Sequence, residues 1–184
     1  MKKRTILNLI LFAFILSFFV TPLGDYSKLW LNQVLATSPS ILKESKQTKL
    51  ATYVWTLKDA DWNFFSFERS KGKVVVVTLW TSWRLPCLAE LKSLQNAYNT
   101  YGEKVDFYMI TNEERAPVEE FMALHGFTFP VTYRIIGEPS PMSLETTPAS
   151  YVIAKDGRVV VHETGISKWD TSKTYALFET LLAE

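Results

Sequence analysis

Three kinds of hydrophobic patterning follow one another along the chain. From Ile6 to Val20 the residues are apolar except for Asn8 and Ser17. Counted on to Leu23, this run comes near the ~20 residues that cross a bilayer. From Asp25 to Ala36 the apolar positions are spaced instead. Tyr26, Leu29, Trp30 and Leu35 make one side of a short helix, which either lies at a membrane interface, where Trp and Tyr favour the headgroup level, or continues the preceding helix. Thr37 to Lys49 has no period. It is rich in Ser, Lys and Gln, contains Pro39 and reads as a solvated linker.

From about residue 51 strand and helix periods alternate. Trp55–Leu57 and Asn63–Glu68 have strand character around a polar break at Lys58–Asp61. Val74–Trp80 is a β-branched, almost wholly apolar run, which fits a strand buried on both faces of a helix-covered sheet. Pro86–Tyr101 predicts a helix, with Pro86 in the first turn, Ser82 as its candidate cap, and Leu88, Leu91, Leu94, Gln95 and Tyr98 as its buried stripe. Gly102 ends it. Val105–Thr111 predicts a second buried strand. Pro117–His125 predicts a second helix, with Phe121 and Leu124 inward, Gly126 as its stop and His125 placed where the helix dipole favours a cation. Ser150–Ala154 and Val159–Glu163 flank Lys155-Asp156-Gly157-Arg158, a strong hairpin signal, with His162 on the surface of the second strand. Thr171–Leu182 closes the chain as a helix carrying Tyr175, Phe178, Leu181 and Leu182. A strand–helix–strand unit implies parallel neighbours and the closing hairpin adds antiparallel ones, so the order predicts an α/β sandwich with a mixed central sheet and an N-terminal strand pair.

Charge and cysteine count narrow the chemistry. Lys2, Lys3 and Arg4 precede the apolar run, so the basic end stays in the cytoplasm and the rest is exported. The residues after the run, Phe18-Phe19-Val20-Thr21-Pro22, make a poor cleavage site, which favours an uncleaved anchor over a cleaved signal peptide. The expected organisation is a cytoplasmic tail over 1–4, a transmembrane signal anchor over 5–23, a juxtamembrane segment and linker over 24–50, and a folded domain over 51–184 on the extracytoplasmic (periplasmic) side of the cytoplasmic membrane. A net charge of +1 gives no electrostatic case for nucleic acid. The single cysteine excludes an internal disulfide and a cysteine-rich zinc site; no metal or cofactor is expected.

The candidate chemistry sits between the buried strand and the long helix, in Trp80-Thr81-Ser82-Trp83-Arg84-Leu85-Pro86-Cys87. This resembles the active-site turn of the thioredoxin superfamily, in particular its TlpA/ResA-like membrane-anchored thiol–disulfide oxidoreductases, where a strand leads through two tryptophans into Cys-x-Pro-Cys. Thr147-Pro148 resembles the family's cis-proline, and the Asp-Gly hairpin fits as well. The resemblance covers roughly residues 51–184 and implies a thioredoxin-like fold, and a groove framed by Trp83, Pro86, Thr147 and Pro148 that binds an extended polypeptide in the manner of an added strand.

Arg84 departs from that pattern. It stands where the family has the attacking cysteine, while Cys87 matches the resolving one. Thr78 stands where some thioredoxins place a buried, proton-shuttling acid, so that route is missing too. Cys87 alone has two readings. A helix start with Arg84 beside it favours thiolate; a free cysteine is also among the most buried residue types and then inert. The resemblance thus implies a protein that binds a protein or peptide partner of the cell envelope without dithiol–disulfide turnover. Its alternative is a single-cysteine oxidoreductase or peroxiredoxin-like enzyme using Cys87 with an external thiol. The residues around Cys87 do not match the peroxiredoxin pattern, which has Thr where Arg84 stands.

Overall fold

The computed structural model describes residues 3–20 and 22–184, apart from the side chains of 16–20, 22–23, 25–26, 30 and 33–34. Lys2, Thr21 and the side chains of Tyr26 and Trp30, on which expectations for the amino terminus partly rest, lie outside the described residues. The apolar run forms helix α1, Lys3–Val20, and Pro22 opens a second helix, α2, Pro22–Leu35. The stretch 5–23, expected as one spanning helix, thus falls partly in α1 and partly in α2. With 18 residues, α1 is about 27 Å long at ~1.5 Å per residue. Among the described residues no helix is long and apolar enough to cross a membrane. Ile6, Leu7, Leu9, Ile10, Leu11, Phe12, Phe14 and Ile15 of α1 are all exposed, whereas Leu29 of α2 is buried in the main core.

Seven strands build one sheet: β1 (Thr56–Lys58), β2 (Phe64–Ser66), β3 (Val75–Leu79), β4 (Asp106–Thr111), β5 (Val131–Arg134), β6 (Ala149–Ile153) and β7 (Val159–Thr164), in the order β2-β1-β5-β4-β3-β6-β7. Helix α3 (Leu85–Tyr101) connects β3 to β4, and α4 (Arg115–His125) connects β4 to β5; both strand pairs are parallel. The β6–β7 hairpin is antiparallel and closes over Gly157 at φ 87°, a backbone conformation that glycine adopts without a Cβ penalty. Helix α5 (Ser172–Ala183) ends the chain, capped by Thr171, whose side chain accepts from the Thr174 N–H.

Strand β3 explains the two-sided burial that its sequence predicted. Val76, with Trp80 beyond the strand end, points into a core shared with Leu91 and Leu94 of α3, Val118 and Phe121 of α4 and Phe178 of α5. Val75, Val77 and Leu79 point the other way, against Trp55, Phe67 and Tyr108. The helices thus contribute to one core only. The other core is closed by the β1–β2 region and by Met142 and Leu144 of the loop before β6. Each such buried aliphatic side chain contributes about 1.5–3 kcal/mol.

The differences from the sequence pattern have local causes. Strand β5 had no predicted counterpart, because Val131–Arg134 is short and mixed in polarity. Its extended form comes from neighbours on both sides, β4 in parallel and β1 antiparallel. Leu124, expected inward, is exposed; Val118 and Phe121 are the residues of α4 that are buried. Gly126 ends α4 in the left-handed region as expected, whereas Gly102 ends α3 with helical dihedrals. A Cβ at residue 102 would lie 2.8 Å from the Tyr98 ring, so glycine is needed there for space.

Residues 37–50, which include the stretch 37–49 read as a solvated linker, are mostly exposed or half-buried and are strapped along the β7 side of the sheet. Four backbone bonds hold them: Leu42 N–H to Val160 O, Val159 N–H to Thr48 O, Leu50 N–H to Gly157 O and Lys168 N–H to Thr37 O. Arg158 adds a bond to Gln47 Oε1, and Glu163 accepts from the Ser40 N–H. The strap covers an edge that would otherwise present unpaired backbone groups. A chain beginning at residue 51 should therefore be less stable than one beginning at residue 36, by about 3 kcal/mol for four net backbone bonds, and should self-associate. Urea midpoints and light scattering check this; equal midpoints would mean that the strap contributes nothing.

Candidate functional site

The site forms where β3 ends and α3 begins. Trp80 continues β3 through a bond from its N–H to Ile110 O and is fully buried against Phe121, with ring centroids 5.4 Å apart. The next two residues turn away from the sheet, and Glu113, just past β4, fixes that turn. Its carboxylate accepts from the Ser82 N–H at 2.6 Å and from Ser82 Oγ at 2.8 Å. Ser82 is thus a brace for the turn and does not cap α3. The N-cap is Arg84, with extended backbone and no side-chain cap bond. Trp83, at the apex, is 73% exposed.

Arg84 reaches across to the strand that faces it. Its Nη1 donates to the Thr147 carbonyl oxygen and, at 2.9 Å, to Thr147 Oγ1. The Thr147–Pro148 peptide is cis and Pro148 is buried. The sequence-selected residues Trp83, Arg84, Pro86, Cys87, Thr147 and Pro148 are therefore brought to one end of the sheet, with Arg84 bridging the two segments. The guanidinium also lies 5.6 Å from the Trp83 ring centroid, within range of a cation–π contact.

Cys87, the third residue of α3, lies in its first turn and is fully buried. Its Sγ is 4.0 Å from Thr81 Oγ1. Burial pushes its thiol pKa up; hydrogen bonds from Thr81 and the charge of Arg84 pull it down but do not prevail. Of the two readings of Cys87, thiolate or buried thiol, burial and the raised pKa support the second. Desolvation of a charged sulfur outweighs both effects.

The sequence pattern missed Glu90. It lies one turn beyond Cys87 on the buried side of α3 and is fully buried. Its Oε1 accepts from Ser150 Oγ at 3.1 Å and from Trp169 Nε1 at 2.8 Å, while Oε2 makes no hydrogen bond among the described residues. Burial raises its pKa to about 7, against the opposing pull of the bonds from Trp169 and Ser150. Thr78 Oγ1 is 3.0 Å from Ser150 Oγ. A buried acid is thus present after all, supplied from α3 and linked through Ser150 to the strand position where Thr78 stands. The available signal was a carboxylate three residues after Cys87 within an otherwise apolar stripe. His125 is no cation site, since burial lowers its pKa and it packs edge-on to Phe121 at 4.6 Å. His162 stacks on Tyr151 with ring centroids 4.4 Å apart.

A family model described as Redoxin matches residues 43–178. Over 124 residues the chain is 29% identical to the thiol-disulfide oxidoreductase ResA of Bacillus thuringiensis (strain Al Hakam), covering 64% of this chain and 70% of that one. It is 24% identical over 132 residues to the sporulation thiol-disulfide oxidoreductase A of Bacillus subtilis (strain 168), covering 68% and 79%. Among solved structures it superposes on a putative thiol:disulfide interchange protein DsbE from Chlorobium tepidum with a TM-score of 0.61 at 18% identity, over 78% of this chain and 99% of that one. This last likeness is one of fold.

Two measurements test the electrostatics. Iodoacetamide should alkylate Cys87 in the folded chain at pH 7 at least about tenfold more slowly than in the urea-unfolded chain, because the thiol is both buried and held protonated. Equal rates would contradict the burial. Glu90 binds its proton more tightly folded than unfolded, so its contribution to stability is full below about pH 4.5 and is lost as pH rises through about 7. Glu90→Gln should gain stability relative to the parent between pH 5 and pH 8, by up to roughly 3 kcal/mol. Parallel stability profiles for the two chains would contradict the shift.

Proposed function

We propose that this chain, which belongs to the Redoxin family, is an extracytoplasmic protein on the plan of the ResA-type thiol–disulfide oxidoreductases that binds a polypeptide partner without turning over its disulfides. The observation that carries this reading is Arg84 at the position of the attacking sulfur, bonded to Thr147. A dithiol cycle needs one exposed thiolate to attack a disulfide and a second thiol to release the mixed disulfide. Here the first position holds a guanidinium, which cannot act as a nucleophile, and the second holds a buried, protonated thiol. The alternative, a single-cysteine oxidoreductase or peroxidase, needs Cys87 accessible and ionised, and burial opposes both.

The surfaces that remain suit binding. Trp83 is exposed at the apex, and beside it Thr147 and Pro148 lead into β6. The amino terminus anchors the chain in the cytoplasmic membrane with the domain outside. This is supported by Lys3 and Arg4 opening helix α1, whose apolar side chains from Ile6 to Ile15 are exposed.

The full chain should give no insulin reduction with dithiothreitol above the uncatalysed rate. Arg84→Cys should generate Cys-Leu-Pro-Cys, and mild oxidation should then remove two hydrogens by mass spectrometry as an internal disulfide forms. Turnover by the parent chain would overturn the reading. An Arg84→Cys chain that keeps both thiols under oxidant would show that the turn does not have the assumed geometry.

A further inference from the structure

A small cleft opens beside the turn at the same end of the sheet. It has a volume of about 60 Å³ and is lined by Leu79, Trp80, Thr111, Arg134 and Thr147, among others, with no carboxylate in its wall. The side chain of Arg134, the last residue of β5, makes no hydrogen bond or ion pair among the described residues. Its Nε is buried without a partner. A guanidinium carries five N–H donors and no acceptor, so a buried, unsatisfied Nε–H calls for an acceptor from elsewhere. Glu113, close in sequence to the Thr111 wall, is already engaged by Ser82 and does not serve.

Thr147 lies between two arginines. On one side it helps line the cleft with Arg134; on the other it accepts both bonds from Arg84 Nη1. The Nε and Nη2 of Arg84, the edge that grips a carboxylate with two parallel bonds, have no partner among the described residues. The Thr147 carbonyl, an acceptor that an added strand would use, is occupied. The groove therefore presents surplus donors and positive charge, and its complement is an anionic acceptor.

We propose that the cleft beside Thr147 takes the side-chain carboxylate of an Asp or Glu from an extended polypeptide partner, held by Arg134 with Arg84 at the rim. This rests on the partner-binding reading above and adds its chemical class. The partner is an acidic segment, selected by charge and not by a disulfide. The cleft has room for one carboxylate group, and the exposed Trp83 face beside Arg84 receives the neighbouring apolar residue of the segment.

The test uses the full chain in detergent and an array of immobilised hexapeptides in which one central position carries Asp, Glu, Asn, Gln or Lys. Asp or Glu at that position should bind about tenfold more tightly than Asn or Gln, the size of a charge-assisted bond pair lost. Arg134→Gln should abolish that preference, while Arg134→Lys keeps part of it. The Asp-against-Asn comparison on the unaltered chain needs no variant to fold. Peptides that bind without charge preference would overturn the carboxylate and leave the groove. No peptide binding at all would overturn both. Acetate displacing the acidic peptides in the millimolar range would identify a free-anion site and overturn the polypeptide source.

Discussion

One carboxylate inside the fold joins parts of the chain that are far apart in sequence. Glu90 takes bonds from Trp169 before α5 and from Ser150 of β6, and Ser150 is bonded in turn to Thr78 of β3. The helix that carries Cys87 is thereby fixed to the adjacent strands β3 and β6 and to the segment leading into the last helix. A buried acid is costly unless it is neutral or well bonded. Glu90 meets both conditions only in part, since its second oxygen makes no hydrogen bond among the described residues and its pKa lies near 7. The framework of the site is therefore sensitive to proton concentration in a way that the apolar cores are not.

The turn above that framework is organised by charge. Glu113 holds the backbone after Trp80, and Arg84 spans the gap to Thr147. In a dithiol enzyme this gap is where a partner's disulfide meets an exposed sulfur. Here a long cationic side chain crosses it and takes the facing carbonyl. The exchange changes the kind of complement the surface can have. Sulfur chemistry selects a bond type, whereas two guanidiniums select a charge.

Sequence periodicity made the central strands, both long helices, the Asp-Gly hairpin and the position of the turn legible, because each has a dense local pattern. Val75–Leu79 is apolar at nearly every position, and Gly126 stops α4 where the period ends. Strand β5 was not legible, since Val131–Arg134 is extended only through pairing with β4 and β1. Likewise, spacing alone placed Cys87 at a helix start and suggested thiolate; it carried no information on how deeply that start is buried. Glu90 and Arg134 escaped for the same reason. Their significance lies in three-dimensional neighbours, or in the lack of them. The apolar run at the amino terminus showed its hydrophobicity but not its division between α1 and α2.

The strap of residues 37–50 along β7 also decides where another chain can add a strand. The sheet has two ends, β2 and β7. At β7 the chain's own Leu42, Thr48 and Leu50 already supply backbone partners. What stays open is β2, a three-residue strand with Phe64 exposed, too short to template much growth. Strand exchange between copies is thus discouraged at one end by occupancy and at the other by brevity.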